Sequence, residues 1–274
     1  MEMTGSTTVL SAEAVTAYHR DGYVLAPGRL PAVAMTRLSA AVPAILDEDS
    51  ARRIMERDGV TVRSVYGPHL ADQTVASLSR LTELAGAAMD LIGEPVYVHQ
   101  SKVNVKAPFV GDQWQWHQDY IYWLQDDGIR EPNLVNAAVF LDEVNEFNGP
   151  LTFVPGSHDQ GVLAAVEKEG LPIGYEDAPQ WVSTLTADEK YGVRHDVIER
   201  LVRSRGLVSP KGPAGSVLFF HPNILHASSQ NISPFGRRTL ILVYNGVSNP
   251  ATNTENPRPE FLAARDTTPI AVGE

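Results

Sequence analysis

Apolar positions recur at helical spacing near the start of the chain and, from Pro95 onward, at strand spacing. Ser11 can cap a short helix with Glu13 in its first turn, running through about Arg20 and stopped by Asp21-Gly22. Tyr23-Val24-Leu25-Ala26 reads as a strand. Pro31 suits the first turn of a second helix, in which Met35, Leu38, Val42 and Ile45 fall at helical intervals. The pattern predicts another helix over 71–92, closed by Gly93. Beyond Pro95, residues 96–105 alternate with period two, as in a half-buried strand. Further strand-like runs cover 134–141, 151–154, 216–220 and 239–244. The punctuation between them is Asn148-Gly149-Pro150, Pro155-Gly156-Ser157, Lys211-Gly212-Pro213 and Ser233-Pro234-Phe235-Gly236.

Short strands with Gly/Pro turns behind a helical segment predict a mainly β fold with flanking α-helices and a double-stranded β-helix (jelly-roll, cupin-like) core. The expected organisation is a flexible tail at 1–10 and a single domain at 11–274. Its helical N-terminal part spans about 11–94 and its β core about 95–250, interrupted by a polar insert at 161–206. An insert of that length between strands reads as an active-site lid. Within it, Thr186-Ala187-Asp188-Glu189 has the form of a capping box and predicts a helix start.

Composition narrows the functional classes. The chain has 274 residues, 43% of them hydrophobic, enough to bury one sizeable core. A formal charge of −11 argues against a nucleic-acid surface, which needs a basic face. With no cysteine, disulfides, thiolate metal sites and cysteine nucleophiles are excluded. No apolar run approaches the length of a membrane span, and the first ten residues lack the form of a signal peptide. These features predict a cytoplasmic protein with a small-molecule partner, no nucleic acid and no membrane, acting as a monomer or homodimer.

The chemistry lies in Trp116-His117-Gln118-Asp119 and, much later, His221-Pro222-Asn223-Ile224-Leu225-His226. His-x-Asp with a remote histidine is the ligand set of a two-histidine, one-carboxylate iron site, which leaves coordination positions open. On a strand, His117 and Asp119 would point to one face. Both His221 and His226 could supply the second imidazole. His226 is favoured because Arg237 follows it by eleven residues, and an arginine fork suits the distal carboxylate of 2-oxoglutarate. Alternation along 237–242 turns only one of Arg237 and Arg238 inward, and Arg238 is expected to be a solvated charge.

The chain resembles the phytanoyl-CoA dioxygenase family of Fe(II)/2-oxoglutarate oxygenases, and within it the hydroxylases of small amino acids and their derivatives, of the ectoine and leucine hydroxylase type. The resemblance is carried by His99-Gln100-Ser101-Lys102-Val103-Asn104, Trp116-His117-Gln118-Asp119, Trp123, Asp127-Gly128, Phe147-Asn148-Gly149-Pro150, Pro155-Gly156-Ser157-His158 and the stretch from His226 to Arg237. It implies iron ligands at His117, Asp119 and His226, and cosubstrate contacts at Gln100, Asn104, Ser228 and Arg237. It also implies a substrate pocket near Trp123 and Arg258, with Arg63 and Tyr66 as further substrate-facing candidates. Fe(II), 2-oxoglutarate and O2 are the implied cofactors. The expected reaction is hydroxylation of an unactivated C–H bond of a leucine- or proline-like free L-amino acid, with ectoine or another small intermediate as the alternative. A jelly-roll protein that binds metal without turnover is the competing reading. Asp119 retains a carboxylate where related halogenases have a small residue, so hydroxylation is the expected outcome.

Overall fold

A computed structural model describes residues 9–188 and 190–273. The first helix, α1 (Ala12–Asp21), starts as expected, with the Ser11 hydroxyl accepting from the Ala14 amide. It ends at Gly22, whose left-handed backbone (φ 81°) lets its amide reach the Tyr18 carbonyl. Strand β1 (Tyr23–Ala26) and helix α2 (Ala32–Asp47) follow. Residues 1–8 of the expected tail lie outside the described residues. The tail reading fails at Val9 and Leu10: both amides donate to the Asp90 carboxylate, and Leu10 is buried.

Two departures mark the N-terminal third. A hairpin of β2 (Arg53–Met55) and β3 (Val62–Tyr66) adds two strands to a region expected to be helical. The single helix expected over 71–92 is broken into α3 (Pro68–Ala71), α4 (Gln73–Leu78) and α5 (Ala87–Ile92), the last preceded by a wide turn at Thr82–Gly86. Asp72 makes the first break: its backbone is extended and its carboxylate caps α4 through the Val75 amide. At the second, the buried Tyr244 hydroxyl donates to the Ser79 carbonyl. Helical periodicity survives such breaks because each piece still turns its apolar side to one sheet.

The remaining elements are β4 (Val96–Lys106), β5 (Trp114–His117), α6 (Tyr120–Asp126), β6 (Leu134–Phe140), β7 (Leu151–Phe153), β8 (Ala165–Glu167), β9 (Tyr191–Val193), α7 (His195–Arg205), β10 (Val217–Phe220), β11 (His226–Ser228) and β12 (Arg237–Gly246). They form a seven-stranded sheet in the order β1-β10-β6-β12-β4-β3-β2 and a three-stranded sheet β5-β11-β7, the two layers of a double-stranded β-helix. All of these pairings are antiparallel.

The large sheet is buried on both faces. On β6, β10 and β12, Val135, Ala137, Val139, Val217, Phe219, Leu240 and Leu242 pack with Leu38, Val42 and Ile45 of α2 and with Leu84 and Leu91. Their alternates Ala138, Phe140, Leu218, Phe220, Ile241 and Val243 face the small sheet, Phe153 and α6. Two covered faces explain why these strands read as nearly continuous apolar runs. Among the described residues, no helix is long and apolar enough to cross a membrane.

Within the insert, β8 pairs with β9, a helical turn covers Gln180–Thr184, and α7 follows. The helix expected at Thr186 does not form there: Thr186 to Asp188 lie in a bend, Glu189 falls outside the described residues, and α7 begins at His195. Val193, Val197 and Leu201 dock on Val154 and Leu225 at the back of the small sheet. Val182 and Leu185 pack with Tyr66 and Leu262 at its mouth.

Candidate metal and cosubstrate site

Strands β5 and β11 pair so that His226 lies directly opposite His117, with ring centroids 4.2 Å apart. Asp119 reaches them by a different route from the one expected. Strand β5 ends at His117, and Asp119 has helical backbone angles (φ −63°, ψ −35°) at the start of α6. The strand-to-helix turn, not strand alternation, aims its carboxylate. Asp119 Oδ1 stands 3.7 Å from His117 Nε2 and Oδ2 stands 3.9 Å from His226 Nε2. One ligand atom from each residue lies within 4.8 Å of the others, and all three residues are buried.

The two imidazoles are held alike. His117 Nδ1 donates to the Gln115 carbonyl at 2.6 Å, and His226 Nδ1 donates to the Ile224 carbonyl at 3.0 Å. A carbonyl accepts only, so each Nδ1 carries the proton and each Nε2 turns a lone pair toward Asp119. Burial, reinforced by His117, pushes the His226 pKa down to about 4, keeping the ring neutral. For Asp119 burial opposes the charge, but Lys102, His117 and His226 together outweigh it and hold the carboxyl well below its usual range. Two neutral imidazoles and one ionised carboxylate fit a first-row divalent ion at bonds of about 2 Å. His221 stays out of this cluster. It packs on Tyr18 and His158, accepts from the Asn223 amide, and is pushed by burial down to about 3. His158 donates to the His19 carbonyl, away from the site.

Inward-facing positions of β4 and β12 make the opposite wall. Gln100, Lys102, Asn104 and Lys106 alternate along β4 and pair in register with Val243, Ile241, Thr239 and Arg237. Arg237 is buried and donates from Nη1 to the Thr239 hydroxyl at 3.0 Å; burial lowers its pKa to about 10, so it stays charged. Arg238 points the other way, a third exposed as a surface charge, and also forks onto Asp142 at 2.9 and 2.7 Å. Arg237 Nε, Ser228 Oγ and Asn104 Oδ1 are buried without a hydrogen bond inside the protein. A buried guanidinium N–H and a hydroxyl left in this condition suit a carboxylate ligand, so the residues fit 2-oxoglutarate as they fit iron. Lys106, beside Arg237, donates to the Ser229 and Asp112 carbonyls and so ties the end of β11 to the approach to β5.

A cavity of about 30 Å³ touches His117 and Asp119 and is bounded by Tyr66, Gln100, Lys102, Trp114, Tyr122, Trp123, Thr184, Leu185 and Arg258. Of the substrate-facing candidates, Trp123, Tyr66 and Arg258 therefore reach it. Arg63 does not. Its guanidinium is bound by Glu56 at 3.1 Å and the Gln113 carbonyl at 3.0 Å, and it stacks 3.8 Å from the Trp114 ring centre. Gln100 lines the cavity while donating to the Leu262 carbonyl at 2.7 Å. Sequence reasoning assigned no role to Lys102, Tyr122, Thr184 or Leu185. Lys102 was accessible to it, lying on the same alternation as Gln100 and Asn104. Thr184 and Leu185 arrive from the insert and carry no local signal.

Two histidines on paired strands of the small sheet and an aspartate at the start of α6 form a candidate metal trio, and with the buried Arg237 on β12 of a double-stranded β-helix this is the layout of Fe(II)/2-oxoglutarate-dependent dioxygenases. Residues 18–239 match phytanoyl-CoA dioxygenase (PhyH), and the chain belongs to that family. It is 38% identical to L-proline trans-4-hydroxylase of Streptomyces griseoviridis over 94% of each chain. It is 36% identical to ectoine dioxygenase of Bordetella bronchiseptica, across 93% of this chain and 83% of that protein. The crystal structure of EctD from S. alaskensis with 2-oxoglutarate and 5-hydroxyectoine superposes with a TM-score of 0.78 at 30% identity, covering 99% of this chain and 89% of that one. The iron-bound form of the same protein gives 0.80 at 30% identity, over 99% and 90%. The protein is an iron- and 2-oxoglutarate-dependent dioxygenase.

Proposed function

We propose that this dioxygenase hydroxylates an unactivated C–H bond of a small free L-amino acid, proline-like or leucine-like. 2-Oxoglutarate and O2 are consumed, and succinate and CO2 are released with the hydroxylated product. The observation that carries the proposal is Arg258, a fixed cation on the wall of the same cavity that His117 and Asp119 line. An amino-acid carboxylate has no better partner than a guanidinium fork of set orientation. Similarity to a proline hydroxylase over nearly the whole chain supports this substrate class over ectoine, whose dioxygenases are also relatives.

In this reading His117, Asp119 and His226 hold Fe(II), which supplies the oxidising chemistry when bound with its cosubstrate. Arg237 grips the distal carboxylate of 2-oxoglutarate, helped by Ser228, Asn104 and Gln100. Trp123 and Tyr66 give the substrate's aliphatic part flat apolar walls, and Arg258 fixes its carboxylate end. The cavity's 30 Å³ holds two or three waters, since a water needs about 10–15 Å³. Thr184 and Leu185 of the insert must therefore withdraw to admit substrate and return to exclude solvent, which is the lid role we assign to 161–206. The domain at 11–274 works as one unit in the cytoplasm, as a monomer or homodimer.

The test is a panel of free amino acids and ectoine incubated with the protein, Fe(II), ascorbate and 2-oxoglutarate. A gain of one oxygen on a proline- or leucine-like acid, with matching succinate, is expected. Oxygen gain on ectoine alone would replace the amino-acid reading. No product, together with bound iron and no visible Fe(II)–2-oxoglutarate band, would favour a metal-binding protein without turnover.

A further inference from the structure

The hairpin β2–β3 brings in a buried ion pair that the site described above leaves unused. Arg63, on β3, is 1% exposed, and Glu56, just past β2, is 5% exposed. Arg63 Nη1 donates to Glu56 Oε2 at 3.1 Å, and Nη2 donates to the Gln113 carbonyl at 3.0 Å. Glu56 Oε1 accepts the Asp112 amide at 3.1 Å. The pair therefore grips two consecutive residues on the approach to β5. The next residue is Trp114, and the Arg63 guanidinium carbon lies 3.8 Å from the centre of its ring. A planar cation on an indole face is worth most where water is excluded, as it is here. Arg63 Nε is buried without a hydrogen-bond partner. An arginine kept for ion pairing alone would not strand a donor, so contact with the ring is part of what fixes its plane.

Trp114 is the one residue, among those described, on the walls of two cavities. One is the 30 Å³ cavity touched by His117 and Asp119. The other is a cleft of about 930 Å³ between the small sheet and the insert, bordered by Gln115, Trp116, Thr152, Lys168 and His195. The Trp114 ring centre lies 6.4 Å from that of His117 and 5.8 Å from Lys102 Nζ. A ring swung off Arg63 would join the metal site to a far larger, solvent-filled space.

We propose that Arg63, oriented by Glu56, is a positioning residue that holds the Trp114 ring as the partition between the metal cavity and the cleft. The inference rests on reading the small cavity as the substrate site. Its consequence is coupling: a closed partition keeps water out and the substrate aligned while the cosubstrate is consumed. With the partition open, 2-oxoglutarate and O2 still give succinate and CO2, but no hydroxylated product forms. Ascorbate then reduces the unused oxygen atom to water.

Arg63→Met combined with Glu56→Gln removes the clamp without leaving either charge buried alone, which favours a folded variant. With the substrate found in the amino-acid panel, succinate formed per hydroxylated product should rise severalfold, while KM for 2-oxoglutarate stays unchanged. In a Trp114→Ala background the same two changes should add little, because Arg63 acts through the ring. The metal-free, unaltered chain supplies a readout that needs no turnover. In its NMR spectrum the Arg63 side-chain protons should contact the Trp114 ring and show the upfield shift of protons lying over an aromatic face. The Trp114 indole signal, assigned with Trp114→Phe, should move in the double variant while that of Trp181 stays. Absence of the Arg63–Trp114 contact overturns the proposal whether or not any substrate is found, so failure of the clamp and failure of the amino-acid reading are told apart. Unchanged coupling in a folded double variant overturns it too, and lower stability with coupling intact would leave the pair only a brace for β5. Equal further uncoupling in the Trp114→Ala background would show that Arg63 does not work through the ring.

Discussion

Asp127 grips Arg258 through both carboxylate oxygens, at 2.7 Å to Nε and 2.6 Å to Nη2, and its own side chain is wholly buried. His99 Nε2 approaches the same carboxylate at 3.0 Å and stands edge-on to Trp123 at 6.0 Å. The Asp127 carbonyl also receives the amides of Thr252 and Asn253, binding the C-terminal segment that carries Arg258 to the end of α6. Gly128 permits this approach: with φ 72°, a Cβ there would sit 2.6 Å from the Thr252 hydroxyl. One acidic residue thus sets both the position and the angle of the arginine on the cavity wall.

Asp127→Asn should therefore weaken selection for the substrate's carboxylate. We expect KM for the amino acid to rise about tenfold, with KM for 2-oxoglutarate unchanged. A charged hydrogen bond is worth about 1.5–3 kcal/mol, so Arg258→Met should raise the same KM roughly 10–100-fold. The diagnostic is the ratio of kcat/KM for the free acid to that for its amide, which both variants should lower. A variant that is merely less stable would keep the ratio.

Arg237→Gln removes the buried cation facing Asn104 and Thr239. Loss of one charge-assisted bidentate contact predicts a rise in KM for 2-oxoglutarate of roughly 10–100-fold. The amino-acid KM and the iron content should stay near their original values. Titration of the visible band against 2-oxoglutarate measures the effect directly; equal loss of iron would point to a structural role instead.

His226→Ala and Asp119→Ala should each abolish both iron retention and turnover. Removing an outer-shell partner of a metal ligand typically costs 10–100-fold, and loss of a ligand itself should exceed that. His221→Asn should retain iron, because His221 lies outside the trio. Metal analysis after desalting separates these outcomes.

Acid should destabilise the protein through its neutral buried histidines. Burial first, then His158 and His19, pushes His221 from the usual 6.5 to about 3; burial and His99 push His69 to about 4. The unfolded chain then binds protons at these sites that the folded chain refuses. Stability is complete above about pH 6.5 and is lost progressively as pH falls from there toward 3–4. The urea midpoint should drop between pH 7 and pH 5, and His221→Asn should flatten that slope.

Tyr244→Phe deletes the buried hydroxyl that holds the Ser79 carbonyl at the break after α4. The expected loss is about 1–2 kcal/mol of unfolding free energy, with kinetic constants unchanged. Denaturant melts with an unaltered slope would check it.

Local chemistry was legible wherever one strand or one cap decided it. Ser11 and Gly22 bound α1 as their residue types require, and alternation allowed only one of Arg237 and Arg238 to turn inward, with the spacing from His226 choosing Arg237. The helix expected over 71–92 is interrupted twice, where Asp72 turns its carboxylate to the Val75 amide and where Tyr244 holds the Ser79 carbonyl, and no periodicity reports either contact. Arg63 looked like a pocket residue, but Glu56 and the Gln113 carbonyl claim its guanidinium beneath Trp114.

From the order of residues alone came the fold class, the ligand types and the arginine, because strand period and side-chain chemistry are properties of short stretches. The spacing to Arg237 favoured His226, but only the tertiary structure set it beside Asp119, by pairing it with His117 across the small sheet and leaving His221 packed on Tyr18 and His158. It also decided what closes the cavity and what steers Arg258. Thr184, Leu185 and Asp127 act from segments far apart in the chain, and their contacts exist only once the sheets have packed.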